Sequence, residues 1–142
     1  MQIPGLRSPY DKVGGIFYLG RLIDKIRLHQ AGTLPADYHA NLGKGFDARC
    51  ARLLQVEYND LLERVKQGGT EDEILASCRK PDDETVEVWN GFMRKIGWRD
   101  GASEILARRK KEAGLEGRDD IQTIFDFLDA DEDRPVRPWQ SA

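Results

Sequence analysis

The chain has 142 residues, of which 39% are hydrophobic and 33% charged, and its 25 acidic and 22 basic residues give a net charge of −3. This length suits one domain with an ordinary core, and the near balance of charge excludes the clustered basic surplus that nucleic-acid binding needs. The apolar runs fall far short of the roughly 20 residues of a membrane span, so we expect no membrane association.

The central element is predicted to be a helix over residues 14–31. Apolar side chains recur at helical spacing at Ile16, Leu19, Ile23 and Ile26. Phe17 and Leu28 lie near the opposite side of the same helix. A helix that is apolar on two sides is usually covered on two sides, so we expect this one at the centre of the fold. Gly14-Gly15 would form its entry and Gly32 its end.

The rest of the chain predicts further helices joined by glycine- and aspartate-rich corners. We expect a helical turn at 36–42 and helices at about 47–54, 57–67, 70–78, 81–96, 100–113 and 119–129. Asp47 and Asp100 are predicted caps, and Thr70 with Glu73 has capping-box spacing. No stretch alternates convincingly as a strand. The prediction is an all-α single domain of six or seven short-to-medium helices.

Both ends of the chain are predicted to lie outside the helical domain. Residues 1–13 read as an irregular lead-in, residues 14–129 as the helical domain, and residues 130–142 as a flexible acidic tail that contains prolines. Trp139 in that tail could dock on the core.

The aromatic residues of the 81–96 segment are predicted to be core. Trp89 and Phe92 recur with Met93 and Ile96 at the spacing of a buried stripe, and Trp98 follows the helix-ending Gly97. We expect the Trp89 indole N–H to donate a hydrogen bond.

Several separated motifs carry a family resemblance. They are Leu6-Arg-Ser-Pro9, Gly14-Gly15, Leu22-Ile-Asp-Lys25, Ala31-Gly-Thr33, Trp89-Asn90, Gly97-Trp-Arg-Asp100, Arg118-Asp-Asp-Ile-Gln-Thr123 and Phe125-Asp-Phe-Leu-Asp-Ala-Asp131. In this order they resemble the bacterial DUF5069 family, over about residues 6–132. The family is a domain of unknown function, so the resemblance implies no substrate, cofactor or catalytic residue. Many members have an Asp-Arg-Arg-Phe-like segment after the Tyr38 region, where this chain has Gly43-Lys-Gly-Phe-Asp-Ala-Arg49.

The first candidate site is a row of basic residues on the central helix. Arg21, Lys25 and His29 are each four residues apart and therefore stack on one face. Convergent cations beside a cleft bind carboxylates or phosphate esters, and Tyr38 and His39 in the next loop could complete such a site. The alternative is a solvated stripe in which Arg21 or Lys25 is paired to nearby Asp24 or to acids on another helix.

The second candidate is a row of carboxylates on the last helix. Asp119, Gln122, Asp126 and Asp129 fall on the side opposite its apolar stripe, and oxygen-rich clusters can hold Mg²⁺ or Ca²⁺. The metal ligands would be Asp126 and Asp129, although no EF-hand loop frames them. A third interpretation joins the two rows, with the cations of the central helix paired to the acidic face of the last helix in a buried network.

The remaining polar candidates carry weaker patterns. His29 and His39 lie ten residues apart across a glycine corner and could meet, and Asn90 could line a cleft. Neither Cys50 nor Cys78 belongs to a CxxC motif, so we expect reduced thiols and a cytoplasmic location. Nothing frames a catalytic cysteine.

The function that these patterns favour is a binding module. It would take a partner protein or a small anionic ligand in a cleft beside the central helix, with Arg21, Lys25, His29, Tyr38, His39 and Asn90 as candidate contacts. The alternatives are a metal-assisted enzyme that uses the C-terminal carboxylates and a purely structural or assembly module. We predict no cofactor.

Overall fold

The computed structural model describes residues 1–138, and the protein is essentially helical over that range. Seven α-helices and one 3₁₀ helix follow a small hairpin. The strands are β1 (Lys12–Val13) and β2 (Ile16–Phe17), and the helices are α1 (Leu19–Gln30), the 3₁₀ helix (Ala36–Asn41), α2 (Phe46–Leu53), α3 (Tyr58–Lys66), α4 (Glu71–Ala76), α5 (Asp83–Lys95), α6 (Ser103–Glu112) and α7 (Ile124–Asp131). The predicted all-α class is confirmed.

The start of the central helix differs from the prediction. Residues 12–17 form an antiparallel hairpin in which Val13 pairs with Ile16, and Gly14-Gly15 is its two-residue turn. Both glycines have positive φ, 60° and 80°, which a turn of this kind requires and side chains disfavour. The glycines therefore fold the chain back on itself, and α1 begins only at Leu19.

Gly14 is also a point of close packing, which gives a testable difference from Gly15. A Cβ on Gly14 would lie 2.3 Å from Leu75 Cδ2, whereas one on Gly15 would meet nothing within 4 Å. Both substitutions to alanine carry the strain of positive φ, but only Gly14→Ala overpacks the core. We expect Gly14→Ala to lower the free energy of unfolding by about 1–3 kcal/mol more than Gly15→Ala does, as measured by urea denaturation. Equal losses would contradict the packing seen here.

The predicted central position of α1 agrees with its burial. Its residues from Leu19 to Ile26 are all buried, including the charged ones. Beside it, four aromatic rings pack edge to face or stacked around Phe125, which is fully buried. The other rings are Tyr10, Phe17, Tyr18 and Phe46. This cluster joins the hairpin, α1, α2 and α7 into one core.

The last helix begins five residues later than predicted. Thr123 is its N-cap, and Thr123 and Asp126 form a reciprocal capping box. Asp119 and Gln122 precede the helix, so the predicted carboxylate face across 119–129 does not form. The helix ends at Asp131, and Glu132 just beyond it is 1% exposed. Glu132 is therefore packed on the body of the protein, although the sequence predicts that it belongs to the flexible tail 130–142.

Of the three predicted helix caps, one forms and two do not. Thr70 and Glu73 form the predicted capping box. Asp47 is not a cap, because Gly45 occupies that position and Asp47 lies inside α2. Asp100 does not cap α6 either; its carboxylate accepts from the amides of Gly97 and Ala102 in the preceding turn.

The predicted aromatic core of α5 forms only in part. Met93 and Ile96 are buried, and the Trp89 indole donates to the Phe17 carbonyl as expected. Phe92 on α5 and Trp98 just beyond it are 49% and 43% exposed, so neither belongs to the core. Trp139 lies outside the described residues. None of the described helices has the length and hydropathy needed to cross a bilayer.

Candidate functional site

Arg21 of the basic row is bound to a carboxylate at the other end of the chain. Its guanidinium donates to both carboxylate oxygens of Glu132, at 2.7 and 2.6 Å, and the two side chains are 3% and 1% exposed. Tyr38 also donates to Glu132, and Arg134 pairs with it. Burial opposes ionisation of Glu132, but these partners, chiefly Arg21, outweigh it and lower its pKa.

Lys25 is held by Asp47 of α2. The ammonium lies 2.9 and 3.1 Å from the two carboxylate oxygens, and the Tyr18 hydroxyl donates to the same carboxylate at 2.6 Å. Gly43 adds a backbone donor at 3.0 Å. Burial lowers the pKa of Lys25 and outweighs the attraction of Asp47, while burial and Asp47 together raise the pKa of Tyr18.

The basic row is therefore paired internally at two of its three positions. The sequence suggested either Asp24 or acids on another helix as partners, and Lys25 indeed pairs with an acid on another helix, Asp47. Asp24, on the same helix, binds Arg7 instead, and the carboxylate for Arg21 comes from just beyond α7 rather than from its outer face. Buried pairs of this kind fix how elements pack, here the 3₁₀ helix, α1, α2 and the end of α7.

The other predicted contact residues lie in three places. His29 and His39 are exposed, and their rings meet edge to face with centroids 4.7 Å apart. Asn90 accepts from the Phe17 amide and donates to the Gly15 carbonyl, so it ties α5 to the hairpin and lines a shallow depression there. Tyr38 alone of this group joins Arg21 and Lys25 at the cleft described below.

The two predicted metal ligands do not face each other across an open site. Asp126 accepts from the Tyr10 hydroxyl at 2.6 Å and from the amides of Gln122 and Thr123. Asp129 is fully buried, and burial raises its pKa despite the nearby Arg134. Within residues 1–138, no group of three or more His, Cys, Asp or Glu side chains is arranged to hold a metal ion.

A cleft of about 420 Å³ opens beside α1, at the place where the sequence suggested one. Its walls come from α1, the 3₁₀ helix, the start of α2, α6 and α7. Six apolar residues, which we call its apolar wall, line the cleft: Phe46, Ile96, Ala102, Ile105, Ile124 and Leu128. The polar part of the lining includes Tyr18, Tyr38 and Asn41 together with the paired cations Arg21 and Lys25.

Three further cations border this cleft, and we call them the rim cations: Lys44, Arg49 and Arg109. None of them forms an ion pair with a carboxylate among the described residues. The Arg49 guanidinium lies 5.5 Å from the Phe92 ring centre, and that of Arg109 lies 4.8 Å from Phe127. Asp37 and Asp131 also line the cleft, so the rim cations leave a modest positive surplus.

The comparison with protein families found a match over most of the chain. A family model described as a domain of unknown function, DUF5069, matches residues 3–134. The chain belongs to the DUF5069 family. Among curated proteins it has no match. The matched region includes all seven α-helices of this DUF5069 protein and every residue of the cleft.

The rim cations of this DUF5069 protein are the part of the cleft that sequence patterns missed. Lys44, Arg49 and Arg109 were not among the predicted contact residues, although all three line the cleft. Arg109 of α6 is distant in sequence from Lys44 and from Arg49 of α2, and it meets them only in the folded chain. The Arg49 position five residues after Lys44 gives no periodic signal of its own.

Proposed function

We propose that this DUF5069 protein is a binding module for a small organic anion that has an apolar body. The ligand lies in the cleft beside α1, with its carboxylate or phosphate group at the rim cations and its apolar part against α6 and α7. The observation that carries the proposal is the combination, in one cleft, of an apolar wall and cations without carboxylate partners.

The dimensions and chemistry of the cleft support this class of ligand. A volume of about 420 Å³ lies within the range of small-molecule sites, which are mostly apolar with a few oriented polar groups. Arginine binds carboxylates and phosphates through two parallel N–H donors. The aromatic rings beneath Arg49 and Arg109 restrict both guanidinium groups before a ligand arrives, which lowers the entropic cost of binding.

The proposal assigns different roles to the two sets of cations. Arg21 and Lys25 already satisfy buried carboxylates, so they shape the wall of the cleft and hold its elements together. The rim cations supply the charge that the ligand meets. Asn41 is exposed at the cleft and its side chain is free to donate or accept a further hydrogen bond.

A pair of substitutions tests the rim. Arg49→Ala with Arg109→Ala removes two charge-assisted contacts, each worth about 1.5–3 kcal/mol, so the affinity for octanoate or phenyl phosphate should fall at least tenfold in calorimetric titration. The matched control is Arg52→Ala with Arg108→Ala. It removes the same charge from the same two helices, at exposed positions that do not line the cleft, and should leave binding unchanged.

Two further probes test the ligand class. Octanol has the chain of octanoate without its charge, and acetate has the charge without the chain, so both should bind more weakly than octanoate. Equal loss of binding in the rim and control variants would contradict the proposal, as would tight binding of acetate. Without ligand, the unfolding free energies of the wild type, the rim variant and the control variant should agree within about 1 kcal/mol, because these side chains form no buried pair.

We also propose that the protein is cytoplasmic. Both Cys50 and Cys78 are free thiols in the fold, which suits a reducing compartment. Fractionation of native cells with an antibody against the chain tests this location, and recovery in an oxidising or membrane fraction would contradict it.

A further inference from the structure

The two histidines of the chain meet on the surface, away from the cleft wall. His29 lies in the last turn of α1 and His39 in the 3₁₀ helix, and both side chains are exposed. Their ring centroids are 4.7 Å apart, with the ring planes at 79°. These are the only histidines in the sequence, and neither has a part in the proposed binding of an anion.

The hydrogen bond of His39 prepares its ring to ligate a metal. Its Nε2 lies 2.9 Å from the Leu34 carbonyl oxygen. A carbonyl only accepts, so Nε2 carries the proton and Nδ1 presents a lone pair. Metal-bound histidines commonly donate their other ring N–H to a backbone carbonyl in this way, which fixes the tautomer and the orientation of the ring. The His29 ring has no hydrogen bond within the described residues, so either of its nitrogens is available.

The separation of the rings matches that of two imidazoles on one ion. With metal–nitrogen distances of about 2.1 Å, ring centres lie about 3.2 Å from the metal. Two such rings at angles between octahedral and tetrahedral then have centres about 4.5 to 5.2 Å apart. The observed 4.7 Å falls inside this interval, and the His29 ring, which forms no hydrogen bond within residues 1–138, can turn about its Cβ–Cγ bond out of the edge-to-face contact to aim a nitrogen at the shared ion.

We propose that His29 and His39 form a binding site for a divalent transition-metal ion of the zinc type. The two imidazoles supply the protein ligands and water completes the coordination shell, since borderline-soft ions such as Zn²⁺ prefer imidazole nitrogen. The bound ion bridges the end of α1 to the 3₁₀ helix. This site is independent of the cleft and of the carboxylates of α7.

Zinc titration of the tag-free chain tests the site. Calorimetry should show one equivalent of Zn²⁺ bound, and His29→Ala or His39→Ala should each weaken binding at least tenfold. Because the chain has only two histidines, the ring signals of both should shift together in the NMR spectrum. Cys78→Ser is the matched control, since Cys78 is a partly exposed thiol that also favours zinc, and it should bind as the wild type does.

Three results would overturn the site. They are no binding at millimolar zinc, binding that survives removal of either histidine, and binding that disappears in Cys78→Ser. Both histidines are exposed, so the alanine variants should melt like the wild type without metal, and with zinc only the wild type and Cys78→Ser should melt at a higher temperature. The octanoate titration is a separate readout, so failure of one proposal leaves the other intact.

Discussion

Arg21→Ala should lower the free energy of unfolding by about 3 kcal/mol or more. The substitution removes both hydrogen bonds to Glu132 and leaves that carboxylate buried, at 1% exposure, with a smaller set of partners. Arg134 and Tyr38 still contact Glu132, which keeps the loss towards the lower end of the range for broken buried pairs. Urea denaturation followed by tryptophan fluorescence measures the change.

A second arginine of the same chain provides the control. Arg118 also donates two hydrogen bonds to a carboxylate, that of Asp120, but these two side chains are 46% and 52% exposed. Arg118→Ala should therefore cost far less stability than Arg21→Ala. If the two variants lost similar stability, burial would not be what makes the Arg21 pair important.

Asp47→Ala should have an effect of similar size, about 3–5 kcal/mol. The carboxylate accepts from the Lys25 ammonium, the Tyr18 hydroxyl and the Gly43 amide, and all of these lose their partner at once. The ammonium of Lys25, with its side chain 6% exposed, is then a buried charge without compensation. The control is Asp60→Ala, which removes an exposed carboxylate from the first turn of α3. It loses the same favourable interaction with the helix dipole but no buried partner, so it should lower the free energy of unfolding far less.

Removal of the Lys25 charge should restore part of the stability that Asp47→Ala loses. Lys25→Met keeps most of the aliphatic volume without the charge, so Lys25→Met with Asp47→Ala should be more stable than Asp47→Ala alone by about 1–3 kcal/mol. Strict additivity of the two substitutions would contradict the direct coupling of Lys25 and Asp47. The same urea transitions provide this comparison.

Local sequence signals predicted the fold well where the structure depends on neighbouring residues. The apolar spacing of α1 and the Thr70–Glu73 capping box are properties of a single turn or helix, and both form as expected. The hairpin was missed because strands of two residues are too short to show alternation. The start of α7 was misplaced because Asp119 resembles a cap, although Thr123 and Asp126 have the spacing of the box that forms.

The candidate site was only partly predictable, because its contacts join distant parts of the chain. A cleft beside α1, with Arg21, Lys25 and Tyr38 in it, was expected from the basic row. The partner of Arg21 lies 111 residues away, and no periodic pattern connects the two. No sequence pattern predicts the position of Arg109 either, because it reaches the cleft only through the packing of α6 beside α7.

The most direct test of the account is to locate a bound anion on the protein. Methyl NMR spectra recorded during an octanoate titration should show shifts at Ile96, Ile105, Ile124 and Leu128, which form the apolar wall of the cleft. The methyl groups of Ile74 and Leu75 in α4, which do not line the cleft, should stay in place. Shifts scattered over both sets, or none at saturating octanoate, would contradict an anion-binding cleft beside α1.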